Sequence, residues 1–87
     1  MEKSNTRENI FETIGMRLRK IRDMRGYSRS TVAELAGMSE KHLYNIEMGN
    51  VRMSVDRLVD LCDILEVSSN YVIDGNVDER FANLLEV

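Results

Sequence analysis

An all-α fold is what this 87-residue sequence predicts, and three observations carry the prediction. Proline is absent and five glycines are spread along the chain, so the breaks between elements are glycine breaks. Apolar residues recur at steps of three and four, the spacing that lines one face of a helix. No stretch shows the two-residue alternation of a half-buried strand. The first helix runs from Asn9 to Arg25, with Ile10, Ile14, Leu18, Ile21 and Met24 or Arg25 on one stripe and Phe11 widening it. Gly26 suits the left-handed residue that closes a helix, and Tyr27 is expected to carry its ring into the core. Ser28 can cap a second helix, Arg29 to about Ala36, by accepting a hydrogen bond from a free backbone N–H two or three residues on, with Val32, Leu35 and Ala36 inward. Gly37 ends that helix after two turns. Ser39 caps a third, Glu40 to Met48, whose inward residues are Leu43 and Ile46; so short a helix is marginal alone and must be held by tertiary packing. Gly49-Asn50 closes it. Ser54 caps a fourth helix carrying Val55, Leu58, Val59, Cys62 and Leu65 on one side and Asp56, Asp60 and Asp63 on the other. Ser68 caps a short fifth helix holding Tyr71, Val72 and Ile73, and Asp74-Gly75-Asn76 is a turn signal. Val77, Phe81, Leu84 and Leu85 give the last stretch helical spacing as well.

Composition narrows what such a domain can do. A chain of this length buries roughly 60–65% of its unfolded surface, enough for one hydrophobic core, so one domain is expected. A single cysteine, Cys62, excludes an internal disulfide, and with a single histidine, His42, it cannot build a structural zinc site. Apolar packing alone is expected to hold the fold, with no metal and no cofactor. No segment approaches eighteen consecutive apolar residues, and Met1-Glu2-Lys3-Ser4-Asn5-Thr6-Arg7-Glu8 has no apolar run behind its charges; neither a membrane span nor a signal peptide is expected, which reads as a soluble cytoplasmic protein. Paired carboxylates, Cys/His pairs and metal-ligand spacings are missing, so an enzyme is not expected.

The net charge of −3 argues, at face value, against nucleic acid as a partner. Its distribution reverses the argument. Residues 15–52 hold eight basic and four acidic groups, a balance of +4, whereas residues 53–87 hold two basic and eight acidic groups, a balance of −6. A basic block joined to an acidic one makes a surface dipole that steers association with charged partners. Arg17, Arg19 and Lys20 read as solvated helix charges within that block, any one of which could instead reach a phosphate.

Helix, glycine, two-turn helix, glycine turn, two-turn helix is the layout of a helix-turn-helix, whose second short helix is presented to the DNA major groove. Ile14-Gly15-Met16-Arg17-Leu18-Arg19-Lys20-Ile21-Arg22, Gly26-Tyr27-Ser28, Val32-Ala33-Glu34-Leu35-Ala36-Gly37-Met38-Ser39, Leu43-Tyr44-Asn45-Ile46-Glu47-Met48-Gly49 and Val67-Ser68-Ser69-Asn70-Tyr71-Val72 together resemble the phage lambda repressor and Cro family, the XRE type of DNA-binding domain. The resemblance covers residues 14–75 and implies a compact five-helix lambda-repressor-like helix-turn-helix domain. Residues 1–13 are then an N-terminal extension running into the first helix, and 76–87 a short C-terminal helical tail. It further implies that Ala36 and Gly37 are small where two helices cross. Arg22 and Glu47 match the family pair that forms a partly buried salt bridge between the first helix and the end of the third.

The same resemblance assigns DNA contacts. Ser28 and Ser30 would add donors to the free N–H groups at the start of the second helix, facing phosphate. Arg29 stands where the family usually has a glutamine that bridges phosphate and base edge, and its longer, always-charged side chain suits phosphate. On the third helix Glu40, Lys41 and Tyr44 would face the groove behind the cap Ser39, with His42 and Asn45 at the margins. Lys41 can pair with guanine acceptors, Glu40 can accept from the cytosine amino group, and Tyr44 can touch a thymine methyl or a phosphate. Glu40 has a structural alternative, because a carboxylate near a helix N-terminus is favoured by the dipole by up to about 1 kcal/mol. Arg52 lies where the family loop meets backbone phosphate, with Met53 replacing the usual proline, and Cys62 reads as a small buried residue.

The function that follows is a sequence-specific transcriptional regulator, most simply a repressor, that binds double-stranded DNA as a homodimer on a near-palindromic operator. The tail, with Phe81, Leu84 and Leu85, is expected to dock on its own domain, to dock across the two-fold axis, or to fray. A protein-interaction module of the same fold, of antitoxin or anti-repressor type, is the alternative, favoured by the acidic start of the third helix, by Arg29 in place of the family's glutamine and by the negative total.

Overall fold

Serines at helix starts and glycines at helix ends set the architecture. In a computed structural model that describes residues 10–76, five helices follow one another: α1 (Ile10–Arg25), α2 (Arg29–Leu35), α3 (Glu40–Glu47), α4 (Val55–Leu65) and α5 (Ser69–Asp74). Ser28, Ser39, Ser54 and Ser68 each accept a hydrogen bond from the backbone N–H three residues on, at Thr31, His42, Arg57 and Tyr71. Each satisfies one of the donors a helix start leaves unpaired. Val77, Phe81, Leu84 and Leu85 lie outside the described residues.

Three arginines do the corresponding work at helix ends. Arg57 Nη1 donates to the Ala36 carbonyl at 2.9 Å, closing α2. Arg25 donates to the carbonyls of Leu65 and Glu66 at 2.7 and 2.8 Å, closing α4 beside the left-handed Glu66. Arg17 Nη1 reaches the carbonyls of Val72 and Ile73 at 3.2 and 3.1 Å, with its guanidinium over the Tyr71 ring. A cation at a helix C-terminus is favoured by both the hydrogen bond and the dipole. Arg17 is therefore a structural cap and not the solvated charge that its place in the sequence suggests.

Ile14, Leu18 and Ile21 of α1, Val32 and Ala33 of α2, and Leu43 and Ile46 of α3 meet Leu58, Leu61, Cys62 and Leu65 of α4, then Val67, Tyr71 and Val72, in one core. The buried faces of the two acidic-flanked or short helices depart from the sequence reading. Leu35 is 63% exposed and Ala33 takes its place inward. Val55 is 74% exposed and Val59 also faces out, while Leu61 is buried. A helix of seven residues makes two turns, too few for the spacing to set its phase, and α4 carries apolar side chains on more than one face. Tyr27 likewise keeps an exposed ring; its carbonyl, at 3.0 Å from Arg22 Nη1, is what points inward.

Gly15, rather than Gly37, is where two helices nearly touch. A Cβ on Gly15 would lie 2.7 Å from the Glu47 carbonyl oxygen, so α1 packs directly on the backbone of α3. Gly37 has open space around it and serves through its φ of +70°, a backbone state that costs side-chain-bearing residues.

Candidate nucleic-acid interface

α2 and α3 are joined by a turn that backbone bonds close. Gly37 N–H donates to Glu34 and Met38 N–H to Ala33, at 3.1 and 2.9 Å. Met38 then packs partly buried against the core, which fixes the angle at which α3 leaves. On α3 the inward residues are Leu43, Ile46 and Glu47. Ser39, Glu40, Lys41, His42 and Tyr44 are exposed. Asn45 is half-buried, its Oδ1 accepting from Asn50 Nδ2 at 3.2 Å, so it braces the end of the helix. On α2, Ser28 and Ser30 are exposed and their hydroxyls lie 3.2 Å apart, with Ser28 also donating to Thr31 Oγ1. Arg52 is exposed in the following loop, its guanidinium 5.7 Å from the centre of the Phe11 ring, and the neighbouring Met53 packs against the core.

Beneath this face lies an ionic cluster. Arg22 grips Glu47 in two places, Nε to Oε2 at 2.6 Å and Nη2 to Oε1 at 3.1 Å. The two residues are 6% and 4% exposed. The hydrogen bonding that Arg22 donates to Glu47 raises its pKa above the ordinary value, against the opposing effect of burial and with help from the Glu47 and Asp23 charges. This is the pair that the family resemblance implies. Unforeseen in the sequence is a third member: Arg29 Nε donates to Glu47 Oε1 at 3.0 Å, and its guanidinium lies 5.3 Å from the centre of the Tyr44 ring. One carboxylate thus ties α1, α2 and α3 together. Tyr44 and Glu47 are helical neighbours three residues apart, which is visible in the sequence; that α2 delivers Arg29 between them is a tertiary fact.

Among the described residues no group of His, Cys, Asp and Glu could hold a metal ion, and no helix is long and apolar enough to cross a membrane.

A helix-turn-helix domain family model matches residues 13–70. The HTH-type transcriptional regulator SinR of Bacillus licheniformis is 31% identical over an alignment covering 83% of this chain and 73% of its own. An SPbeta prophage-derived HTH-type transcriptional regulator of Bacillus subtilis, YonR, is 31% identical over 70% of this chain, which spans 56% of that relative's length. Among solved structures, the restriction-modification controller protein C.AhdI from Aeromonas hydrophila superposes with a TM-score of 0.67 at 26% identity, covering 71% of this chain and 94% of that one.

Proposed function

The chain belongs to the helix-turn-helix domain family of transcriptional regulators, and from that premise we propose that it binds a near-palindromic operator as a homodimer, most simply as a repressor, in the cytoplasm. The observation that carries the reading is the exposed polar face of α3, Ser39, Glu40, Lys41, His42 and Tyr44, standing on a turn whose geometry the backbone closes. Lys41, Glu40 and Tyr44 read base edges from the major groove, with Asn45 and His42 at the margin. Ser28, Ser30, Arg52 and the start of α2 position the domain on phosphates. Residues 14–75 form the reading domain. Two copies meet through α5 and the segment 76–87, which spaces two recognition helices about one turn of DNA apart.

Selection of bound sequences from random duplex DNA tests the proposal. A two-fold motif is the expected product, and no enrichment at low salt overturns it. One feature favours the second reading, a protein-binding module: Val55 and Val59 are exposed on α4 near Asp56, Asp60 and Asp63. Binding through phosphates weakens as salt rises, by a slope that counts the cations engaged, whereas binding through the apolar side chains of that helix does not.

A further inference from the structure

Arg29 is held in a manner that a phosphate contact does not require. A phosphate accepts donors from many directions, and a mobile cation serves it well. Arg29 is anchored at two points, by Nε on Glu47 and by its plane over Tyr44, so α3 sets both its position and its tilt. Its charge is partly offset locally as well. Arg22 and Arg29 share Glu47, and Asp23 lies 3.5 Å from Arg22 Nη1 and 3.8 Å from Arg19 Nε, so three cations face two carboxylates. With the Nε edge engaged, Arg29 Nη1 and Nη2 have no partner among the described residues. What remains is a planar two-donor fork of fixed orientation whose charge is partly offset by Glu47.

We infer that Arg29 is a base-reading residue whose Nη pair takes the O6 and N7 acceptors of a guanine beside the base met by Tyr44. The inference rests on the DNA-binding reading above and assigns one position of the recognition sequence to α2. Guanine is the base whose major-groove edge offers two acceptors to such a fork. The bidentate geometry demands orientation more than charge, and the Glu47 tether with the Tyr44 stack supplies orientation before DNA arrives.

Arg29→Lys keeps the charge and removes the planar fork. Motifs selected from random duplexes by the wild type and by this variant are compared. The expected result is that one guanine of the wild-type motif loses its enrichment. Affinity for the wild-type duplex falls roughly 10- to 100-fold, far more than affinity for a scrambled duplex. Replacing that guanine with 7-deazaguanine, which lacks the N7 acceptor, weakens binding of the unaltered protein, so the outcome does not depend on how the variant folds. If Arg29→Lys selects every guanine the wild type does, or the deazaguanine duplex binds undiminished, the inference fails and Arg29 returns to a phosphate. A wild-type selection without any motif overturns the DNA-binding reading, and this inference with it.

Discussion

Glu47 is the residue on which three helices depend. Its carboxylate sits almost fully inside and is shared by Arg22 and Arg29, so Glu47→Gln leaves the buried Arg22 guanidinium with only the exposed Asp23 as counter-charge. The expected cost is about 3–5 kcal/mol, a large part of a small domain's stability. Urea denaturation measures it, with the exposed Glu34→Gln as the comparison, expected within about 0.5 kcal/mol of wild type. The pair is insensitive to ordinary pH from the arginine side: the folded Arg22 pKa is raised, so that contribution is fully present below the unfolded arginine's value and is lost only as pH climbs through the raised one. Gly15 acts on the same joint. Gly15→Ala sets a methyl against the Glu47 carbonyl and forces α1 from α3, which costs roughly 1–3 kcal/mol or more. Gly37→Ala meets open space and strains only its own φ. Thermal melts should therefore rank Gly15→Ala as the more harmful change, and the reverse order would refute the account of the crossing.

At the scale of elements, helix starts and helix ends are stabilised by different kinds of information. A capping serine lies three residues from the N–H it binds, so a local window of sequence suffices to place the starts of α2 to α5. The ends of α2, α4 and α5 are closed by arginines 21 to 56 positions away, which no local window contains. The same division runs through the candidate site. The exposed side chains of α3 are legible from its spacing around Leu43 and Ile46, while the seat of Arg29 depends on three helices meeting. The inward faces of α2 and α4 were legible only in part, because Leu35, Val55 and Val59 satisfy the helical period without being needed by the core. Arg17→Met tests the capping role. Two hydrogen bonds to carbonyls of a six-residue helix are lost, and because the site is partly open to water the expected loss is about 1–2 kcal/mol. Hydrogen exchange should accelerate first in α5, and the salt dependence of DNA binding should stay as it was.

Taken over the whole molecule, the basic block of residues 15–52 is less free than its balance of +4 suggests. Arg17 and Arg25 are committed to carbonyls of α5 and α4, and Arg22 and Arg29 to one carboxylate. Arg19 lies 3.8 Å from Asp23. On the reading unit and the loop after it, Lys41 and Arg52 are then the exposed cations without an acidic partner among the described residues, while α4 carries its aspartates outward. Such a field aligns the domain on DNA through its dipole more than it binds through bulk charge. The consequence is quantitative. Each neutralised phosphate contributes about −0.9 to the slope of log affinity against log salt, so two cations per copy give a slope of about −2 per copy, shallow for a DNA-binding protein. Lys41→Ala should reduce that slope by about one and, on the base contact proposed for its ammonium, relax the selected motif as well. Arg52→Ala should reduce it by about one with the motif unchanged, as a phosphate contact does. A steep wild-type slope would mean instead that arginines now counted as structural turn outward on DNA, and a flattening of that slope by Arg17→Met would show that the cap of α5 is one of them.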